Sequence, residues 1–368
     1  MERKISVFIP TLNGGGAEKV MVTLANAFSA RGYDVDLVLV KKCGPYIDDV
    51  LDEVNVVNLD SGRTLKALFP LIKYFLKSKP AAILSAMTHA NLVAIGVKML
   101  SRTNAKLVVS EHGLISGECA LSKTFVSKLV FFLVPFFYKY ADNIIAVSDG
   151  SAKDLSNFSG ISLDSIETIY NPFNLEKIRE LSNEPAPHPW LCHEQPPVIM
   201  ALGRLNEAKC FDVLIRAFSE IVEDHDVRLI ILGEGELRSE LELLLKKLNL
   251  SSDQVILPGF VENPYSWLSR CECFVLSSRR EALSCALIEA IACGAKVIST
   301  DCKSGPREIL EDGKWGKLVP VNDTSAMVKA INNVLNASSE GNESAKFRAQ
   351  DFSLDKGVDR YISALGLK

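Results

Sequence analysis

"KISVFIPTLNGGGAEKVMVTLANAFSARGYDVDLVLVKK", residues 4–42, decides the fold class. An apolar run, KISVFIPTL, meets the cluster Asn13-Gly14-Gly15-Gly16; a helical pattern, AEKVMVTLANAFSARG, follows, and a second apolar run, YDVDLVLVKK, closes the unit. Strand, tight turn, helix, strand is the repeating unit of a parallel sheet covered by helices on both faces. The alternation continues through AAILSAM, KLVVSEH and NIIAVS. It restarts later with PVIMALGRL, VRLIILGEG, QVILPGFV, CECFVLSS and AKVISTD. Between the two series lies NEPAPHPWLCHEQPP, residues 183–197, whose five prolines resist both helix and strand. The expectation is α/β: two Rossmann-like doubly wound parallel-sheet domains, 1–182 and 198–351, joined by a proline-rich hinge, with a C-terminal helix, 352–368, that returns to the first domain.

Composition narrows the function. At 368 residues the chain exceeds one ordinary core, and 48% apolar with 23% charged residues describes a soluble globular protein. A net charge of -4 gives no basic excess, so no nucleic-acid partner is expected. Nine cysteines without a C-x-x-C pair read as reduced thiols, and His89, His112, His188, His193 and His225 show no metal-ligand spacing, so neither metal nor cofactor is expected. The opening MERKISVFIP imitates a signal peptide, yet its apolar run is short, contains Pro10 and leads into glycines, which suits a first buried strand. No run of eighteen apolar residues spans a bilayer.

In doubly wound sheets ligands sit at the carboxyl ends of strands, where helix N-termini point. Five segments lie at such places. The glycine turn before Ala17-Glu18 permits close backbone approach and aims a helix's positive end at an anion; a packing role is the plain alternative. It is not the dinucleotide fingerprint, because Gly16 is followed by Ala17-Glu18-Lys19 and the second strand ends in lysines rather than an acid. ALGRLNEAKCFD sets Arg204 and Lys209 just past Gly203, two cations suited to a diphosphate, or two solvated surface charges. LGEGELRSEL offers the backbone of Gly235 and Glu236 to a base or phosphate, or merely caps a helix. VVSEHGLI ends a strand with Glu111 and His112, a histidine either structural or functional. SSRREALSCALIEAIACG, 277–294, places Glu281 and Glu289 eight apart, with a helix from about Cys285 to Cys293 capped by Ser284 and ended by Gly294. Its only charge is Glu289, and a covered carboxylate needs hydrogen-bond donors; sugar hydroxyls would serve, whereas one solvated position on a core helix is the alternative.

NGGGAEKVMVTLANAF, SAMTHANLVA, VVSEHG, NIIAVSDG, IYNPFN, GRLNEAK, GEGEL, E-x7-E and STDCKSGPREIL, taken in order over almost the whole chain, resemble the retaining nucleotide-sugar glycosyltransferases of family 4. That family has the GT-B architecture, two Rossmann-like domains facing across a cleft. The resemblance implies that Glu281 binds hydroxyls of the transferred sugar and Glu289 the ribose, that Arg204 and Lys209 hold the diphosphate, and that His112 contacts the sugar near the reacting carbon. Gly15 and Gly16 would lie under the donor phosphates or the acceptor, and Gly203, Gly235, Glu236, Ala282, Leu283 and Ser284 would line the nucleotide-sugar site. No side chain is an evident nucleophile, as in the family's reaction, where the acceptor hydroxyl attacks the face from which the nucleoside diphosphate leaves. The family has glycine where this chain has Cys210 and Ala282, and proline where it has Ser284. A Cβ at a position needing positive φ costs roughly 1 kcal/mol or more, so donor geometry differs or activity is reduced.

The expected activity is α-retaining transfer of a hexose or N-acetylhexosamine from a nucleotide-diphosphate sugar, UDP foremost, to a glycan or polyprenyl-diphosphate-linked glycan. Its alternatives are a catalytically silent nucleotide-sugar-binding protein of a glycan-assembly complex and, against the motif order, an epimerase of the same fold. KTFVSKLVFFLVPFFYKY, residues 123–140, combines aromatics with Lys123, Lys128 and Lys139; it reads as a peripheral contact with the inner face of the cell membrane, or as a core helix. Localisation is then cytoplasmic.

Overall fold

The computed structural model describes residues 4–337 and 345–367. The domain bounds read from the sequence also include residues 1–3, 338–344 and 368, which lie outside the described residues. The chain divides into two compact units, Met1–Phe173 with Phe352–Lys368, and Asn174–Asp351.

The first unit holds β1 (Lys4–Ile9), β2 (Asp34–Leu39), β3 (Asn55–Asn58), β4 (Ala82–Ala86), β5 (Lys106–Glu111), β6 (Asn143–Ala146) and β7 (Ile166–Thr168). They form one parallel sheet of order β3-β2-β1-β4-β5-β6-β7. Successive strand side chains point to opposite faces, so Ile5, Val7 and Ile9 join one core and Phe8 the other. Helix Gly16–Ala30 buries Val20, Met21, Leu24 and Phe28, one stripe at helical spacing, on the first face. Helices Leu68–Ser78, Thr88–Ser101 and Phe125–Phe137 pack on the second.

The second unit holds β8 (Val198–Leu202), β9 (Arg228–Leu232), β10 (Val255–Gly259), β11 (Cys273–Leu276), β12 (Lys296–Thr300) and β13 (Lys317–Val319), parallel in the order β10-β9-β8-β11-β12-β13. Its core packs helices Phe211–Asp224 and Thr324–Leu335 against one face.

The division falls at Phe173/Asn174 and Asp351/Phe352, and residues 183–197 lie inside the second unit. Local bonding explains this. Helix Leu175–Ser182 buries Ile178, and its last carbonyls accept from Asn263 Nδ2 and Arg270 Nη1, which fastens it to the second unit. Trp190 of the proline-rich segment lies 4.9 Å beneath the Arg228 guanidinium. At the boundary Phe173 N donates to Phe352 O at 2.8 Å, and Tyr361 of helix Leu354–Ala364 enters the first unit's core. All nine cysteines are free thiols.

Candidate active site

Strand order in the second sheet reverses between β8 and β11, and the loops leaving these two strands meet at that switch point. Asn206 Oδ1 accepts from the backbone N–H groups of Ala208 and Lys209 at 3.1 and 3.2 Å, which turns the first loop back toward the sheet. Ser277 Oγ then donates to Lys209 O, and Arg279 N to Ala208 O, both at 2.7 Å. These bonds bring Lys209 Nζ to 2.6 Å from Glu281 Oε1, which also accepts from Ser278 Oγ at 2.6 Å. The side chains are 20% and 10% exposed, so a cation and an acid are paired largely out of solvent.

Arg204 leaves β8 in the opposite state. Its side chain is 73% exposed and its Nε lies 3.3 Å from Glu236 Oε2, a surface pair worth at most about 1 kcal/mol that a phosphate could replace. Gly235 matters by packing: a Cβ there would stand 2.3 Å from the Leu205 carbonyl oxygen. With only hydrogen at that point, Leu205 N reaches Glu234 O at 2.9 Å and Leu237 N reaches Leu205 O at 3.0 Å. The Gly203 loop is thereby tied to the Gly235-Glu236 turn.

Helix Cys285–Ala292 begins after Ser284, whose Oγ is sealed from solvent, has no partner and makes no cap bond. Leu283 and Ala282 before it are buried, and the Ala282 carbonyl accepts from Ser304 Oγ at 3.1 Å. Glu289 in mid-helix is 4% exposed, and its Oε1 accepts from Tyr265 OH at 3.1 Å. It is therefore not a solvated position on a core helix. Of the two positions where glycine is replaced, Cys210 sits in the left-handed region at φ +48° and Ala282 does not.

The first unit holds His112 and the glycine turn. His112 follows β5; its Nε2 lies 3.0 Å from Ser110 Oγ, while Nδ1 is buried without a partner. Burial pushes its pKa down to about 4, so the ring is neutral at physiological pH. Glu111 beside it is 2% exposed, and accepts from Thr88 Oγ1 at 3.0 Å, Asn91 Nδ2 at 2.9 Å and the Tyr138 hydroxyl. Helix Gly16–Ala30 starts one residue before Ala17, with Gly15 at its cap. The Glu18 carboxylate folds back to the place a Gly15 Cβ would take, so this helix end already faces an anion of its own chain.

The geometry thus joins Lys209 with Glu281 and Arg204 with Glu236, gives Glu289 to Tyr265, and holds His112 in the other unit. Sequence reasoning missed Ser278, Tyr265, Ser110 and Tyr361. Ser278 and Ser110 lie within three residues of marked positions, and proximity along a strand end was the available signal. Tyr265 and Tyr361 are distant in sequence and had none. Among the described residues no cluster of three His, Cys, Asp or Glu side chains is arranged to hold a metal.

Two parallel-sheet α/β units with this strand order are a GT-B fold, a fold shared with solved glycosyltransferase structures. Residues 14–177 match the family model Glycosyltransferase Family 4 and residues 184–351 the model Glycosyl transferases group 1, and the chain belongs to this family. The chain is 32% identical over 345 residues, 90% of either chain, to the N-acetylgalactosamine-N,N'-diacetylbacillosaminyl-diphospho-undecaprenol 4-alpha-N-acetylgalactosaminyltransferase of Campylobacter jejuni. It is 27% identical over 98% of either chain to a second Campylobacter jejuni protein, the GalNAc-alpha-(1->4)-GalNAc-alpha-(1->3)-diNAcBac-PP-undecaprenol alpha-1,4-N-acetyl-D-galactosaminyltransferase. The crystal structure of Anabaena Alr3699/HepE in complex with UDP and glucose superposes with a TM-score of 0.81 over 99% of either chain at 20% identity.

Proposed function

We propose that this protein is an α-retaining transferase that moves an N-acetylhexosamine or hexose from a UDP-sugar to a hydroxyl of a polyprenyl-diphosphate-linked glycan. The observation that carries this reading is the Lys209–Glu281 contact at the switch point of the second sheet, where a strand-end cation and acid converge largely shielded from solvent. Lys209 and Arg204 supply positive charge to a departing diphosphate, work a divalent ion does elsewhere, so transfer proceeds without metal. Glu281 accepts hydrogen bonds from sugar hydroxyls, and Glu289, held by Tyr265, from the ribose. Gly203, Leu283 and Ser284 offer backbone near the phosphates, and Gly15 and Gly16 offer it to phosphates or acceptor once Glu18 swings aside. Catalysis rests on positioning and charge stabilisation. Both Campylobacter relatives are named as α-N-acetylgalactosaminyltransferases with undecaprenyl-linked acceptors, and an α product from an α-linked nucleotide sugar requires retention. The UDP bound in the Anabaena neighbour supports the nucleotide.

A lipid-linked acceptor calls for a membrane-facing surface. Helix Phe125–Phe137 buries Phe131 and Val134, but Phe125, Leu129, Phe132 and Phe136 form an exposed stripe at spacings of four, three and four residues, the first 80% exposed. Lys123, Lys128 and Lys139 are exposed around it. On the same side of the sheet Phe69 and Leu76 of helix Leu68–Ser78 are exposed beside Lys66, Lys73 and Lys77. Apolar side chains ringed by lysine suit the headgroup zone of an anionic bilayer, so the protein docks peripherally at the cytoplasmic face. No described helix is long and apolar enough to cross a membrane.

The test incubates the purified chain with a panel of UDP- and GDP-sugars and polyprenyl-diphosphate-linked N-acetylhexosamine acceptors, with and without EDTA. Product anomeric configuration is read by NMR. EDTA-resistant α product from a UDP-sugar is expected. Binding of a UDP-sugar without turnover would replace this reading with that of a silent binding protein. In a vesicle flotation assay, Phe132→Ser/Phe136→Ser should release the protein from anionic vesicles; unchanged flotation would remove this face from the proposal.

A further inference from the structure

His112 is linked through Ser110 to Tyr361, near the other end of the sequence. Ser110 lies in β5 and His112 just past its end, and their side chains meet. Ser110 Oγ lies 3.0 Å from His112 Nε2 and 3.3 Å from the hydroxyl of Tyr361, a residue 251 positions later on helix Leu354–Ala364. Ser110 and Tyr361 are fully buried.

Either direction of this chain leaves one proton unmet in the free protein, on the Tyr361 hydroxyl or on His112 Nδ1; Tyr361 lies in the core, out of a ligand's reach, so the direction that leaves the open donor on the imidazole is the one a ligand oxygen can complete. The Tyr361 hydroxyl has Ser110 Oγ as its side-chain partner. Burial pushes its pKa up to about 12, so it keeps its proton, and a buried hydroxyl proton left unmet costs about 1–3 kcal/mol. The proton therefore points to Ser110 Oγ. Ser110, accepting there, directs its own proton to His112 Nε2, the other atom within reach. A neutral imidazole carries one N–H; with Nε2 accepting, that N–H is at Nδ1, the buried ring nitrogen that no protein group meets.

We infer that Tyr361 is a positioning residue: through Ser110 it locks His112 in the Nδ1–H tautomer, which makes the ring a hydrogen-bond donor toward an oxygen of the substrate. This deepens the reading of His112 as a sugar contact and rests on it. The class of group that completes the ring is an oxygen lone pair, of a sugar hydroxyl or the ring oxygen. The opposite tautomer would offer a bare nitrogen at the same point, with the sign of the contact reversed. The C-terminal helix is thus part of the site's chemistry as well as of the fold.

The experiment uses the full chain with nitrogen-15-labelled histidine. Long-range proton–nitrogen correlation spectra give the tautomer of each imidazole, and the His112 signals are assigned by their loss in His112→Asn. A protonated Nδ1 and a bare Nε2 are expected in the wild type, without substrate. In Tyr361→Phe the Nε2–H form should appear, kcat should fall roughly tenfold with donor KM within about twofold, and Ser110→Ala should do the same with no further loss in the double variant. Near-UV circular dichroism checks the fold, and Ser110→Ala carries the test if Tyr361→Phe does not fold. A proton at Nε2 in the wild type, or an unchanged tautomer in both folded variants, overturns the inference. Because the tautomer is read without turnover, a locked Nδ1–H beside full activity of His112→Asn would instead sink the role given to His112.

Discussion

The amino and carboxyl edges of the two sheets both hold buried or half-buried charges, and they treat them differently. At the amino edge Asp36 of β2 is 2% exposed and is met by Tyr74 OH at 2.5 Å, Asn55 Nδ2 at 2.7 Å, Ser78 Oγ at 3.0 Å and Lys4 Nζ at 3.3 Å. Burial pushes its pKa up, but the Tyr74, Asn55, Lys4 and Ser78 contacts outweigh it and hold the carboxyl below its ordinary value. In the second sheet the amino edge pairs Lys296 with Glu272 at 2.8 Å. At the carboxyl edge Glu111 has three neutral donors and no cation. Burial lifts it from the ordinary 4.5 to about 7 against the bonds from Tyr138, Asn91 and Thr88, with the charge of Glu118 adding to the rise. An acid with a cation and several donors is matched to the fold. Glu111, with neutral donors alone, is held at a cost to stability, whereas Glu281 at the same edge of the other sheet has its cation in Lys209.

The largest expected effect breaks the comparison directly. Glu281→Gln and Lys209→Met at the carboxyl edge should each lower kcat by roughly 10²–10³-fold, whereas Lys296→Met at the amino edge should leave it within about twofold. Steady-state rates with saturating donor decide this, and equal losses at both edges would erase the distinction. Lys209→Met also leaves Glu281, only 10% exposed, uncompensated, so stability falls as well; Glu281→Gln keeps the shape and is the cleaner variant.

Next in size is Asp36→Ala. It strips three donors and the Lys4 ammonium of their shared acceptor and should cost about 3 kcal/mol in urea unfolding, with kcat of the folded protein unchanged. A loss under about 1 kcal/mol would mean the amino edge is no more structural than any surface pair.

The two acids should also respond to pH with opposite sign. For Glu111 the folded state keeps its proton up to about 7 while the unfolded chain releases it near 4.5, so the folded state binds more protons in that window and stability falls as pH rises through it. The full penalty, roughly 3 kcal/mol, is present above pH 7 and is absent below 4.5. For Asp36 the unfolded chain binds more protons at low pH, so its contribution is present above the ordinary carboxylate range and is lost as pH falls through the lowered folded pKa. Glu111→Gln should therefore flatten the stability profile between pH 4.5 and 7, and Asp36→Asn should flatten it in acid. Identical profiles for both variants would contradict the assignment.

The sequence made one edge far more legible than the other. Long apolar runs such as KISVFI and VIMAL announced β1 and β8, Gly203 marked the strand end where Arg204 and Lys209 were read, and Glu281 was read from its eight-residue spacing to Glu289. Residues NVVN, IET and KLV, which form β3, β7 and β13, were not read as strands. They are three or four residues long at sheet edges, where neighbours on one side supply the pairing that local pattern does not. Residues 183–197 looked like a hinge because proline breaks regular structure; what places the segment is the contact of Trp190 with Arg228, invisible in local composition. Tyr265 on Glu289 and Tyr361 on Ser110 were out of reach for the same reason, since each lies far along the chain from the group it serves.

The smallest effect concerns backbone at the carboxyl edge. The loops leaving β4 and β8, the switch-point strands of the first unit and the second, each hold a non-glycine residue in the left-handed region, Met87 at φ +77° and Cys210 at φ +48°. Cys210 is 2% exposed, with its Sγ 3.3 Å from the Glu207 carbonyl oxygen, so its side chain recovers by burial some of what its backbone loses. Replacing it by glycine removes about 1 kcal/mol of left-handed strain but also the buried sulfur and some restriction of the unfolded chain, and these nearly cancel. Replacing it by alanine keeps the strain and loses the sulfur. Cys210→Gly should therefore unfold within about 1 kcal/mol of the wild type, and Cys210→Ala about 1 kcal/mol below Cys210→Gly. The reverse order, alanine above glycine, would show that the turn carrying Lys209 toward Glu281 is unstrained, and that the departure from glycine at this position has no energetic consequence for the site.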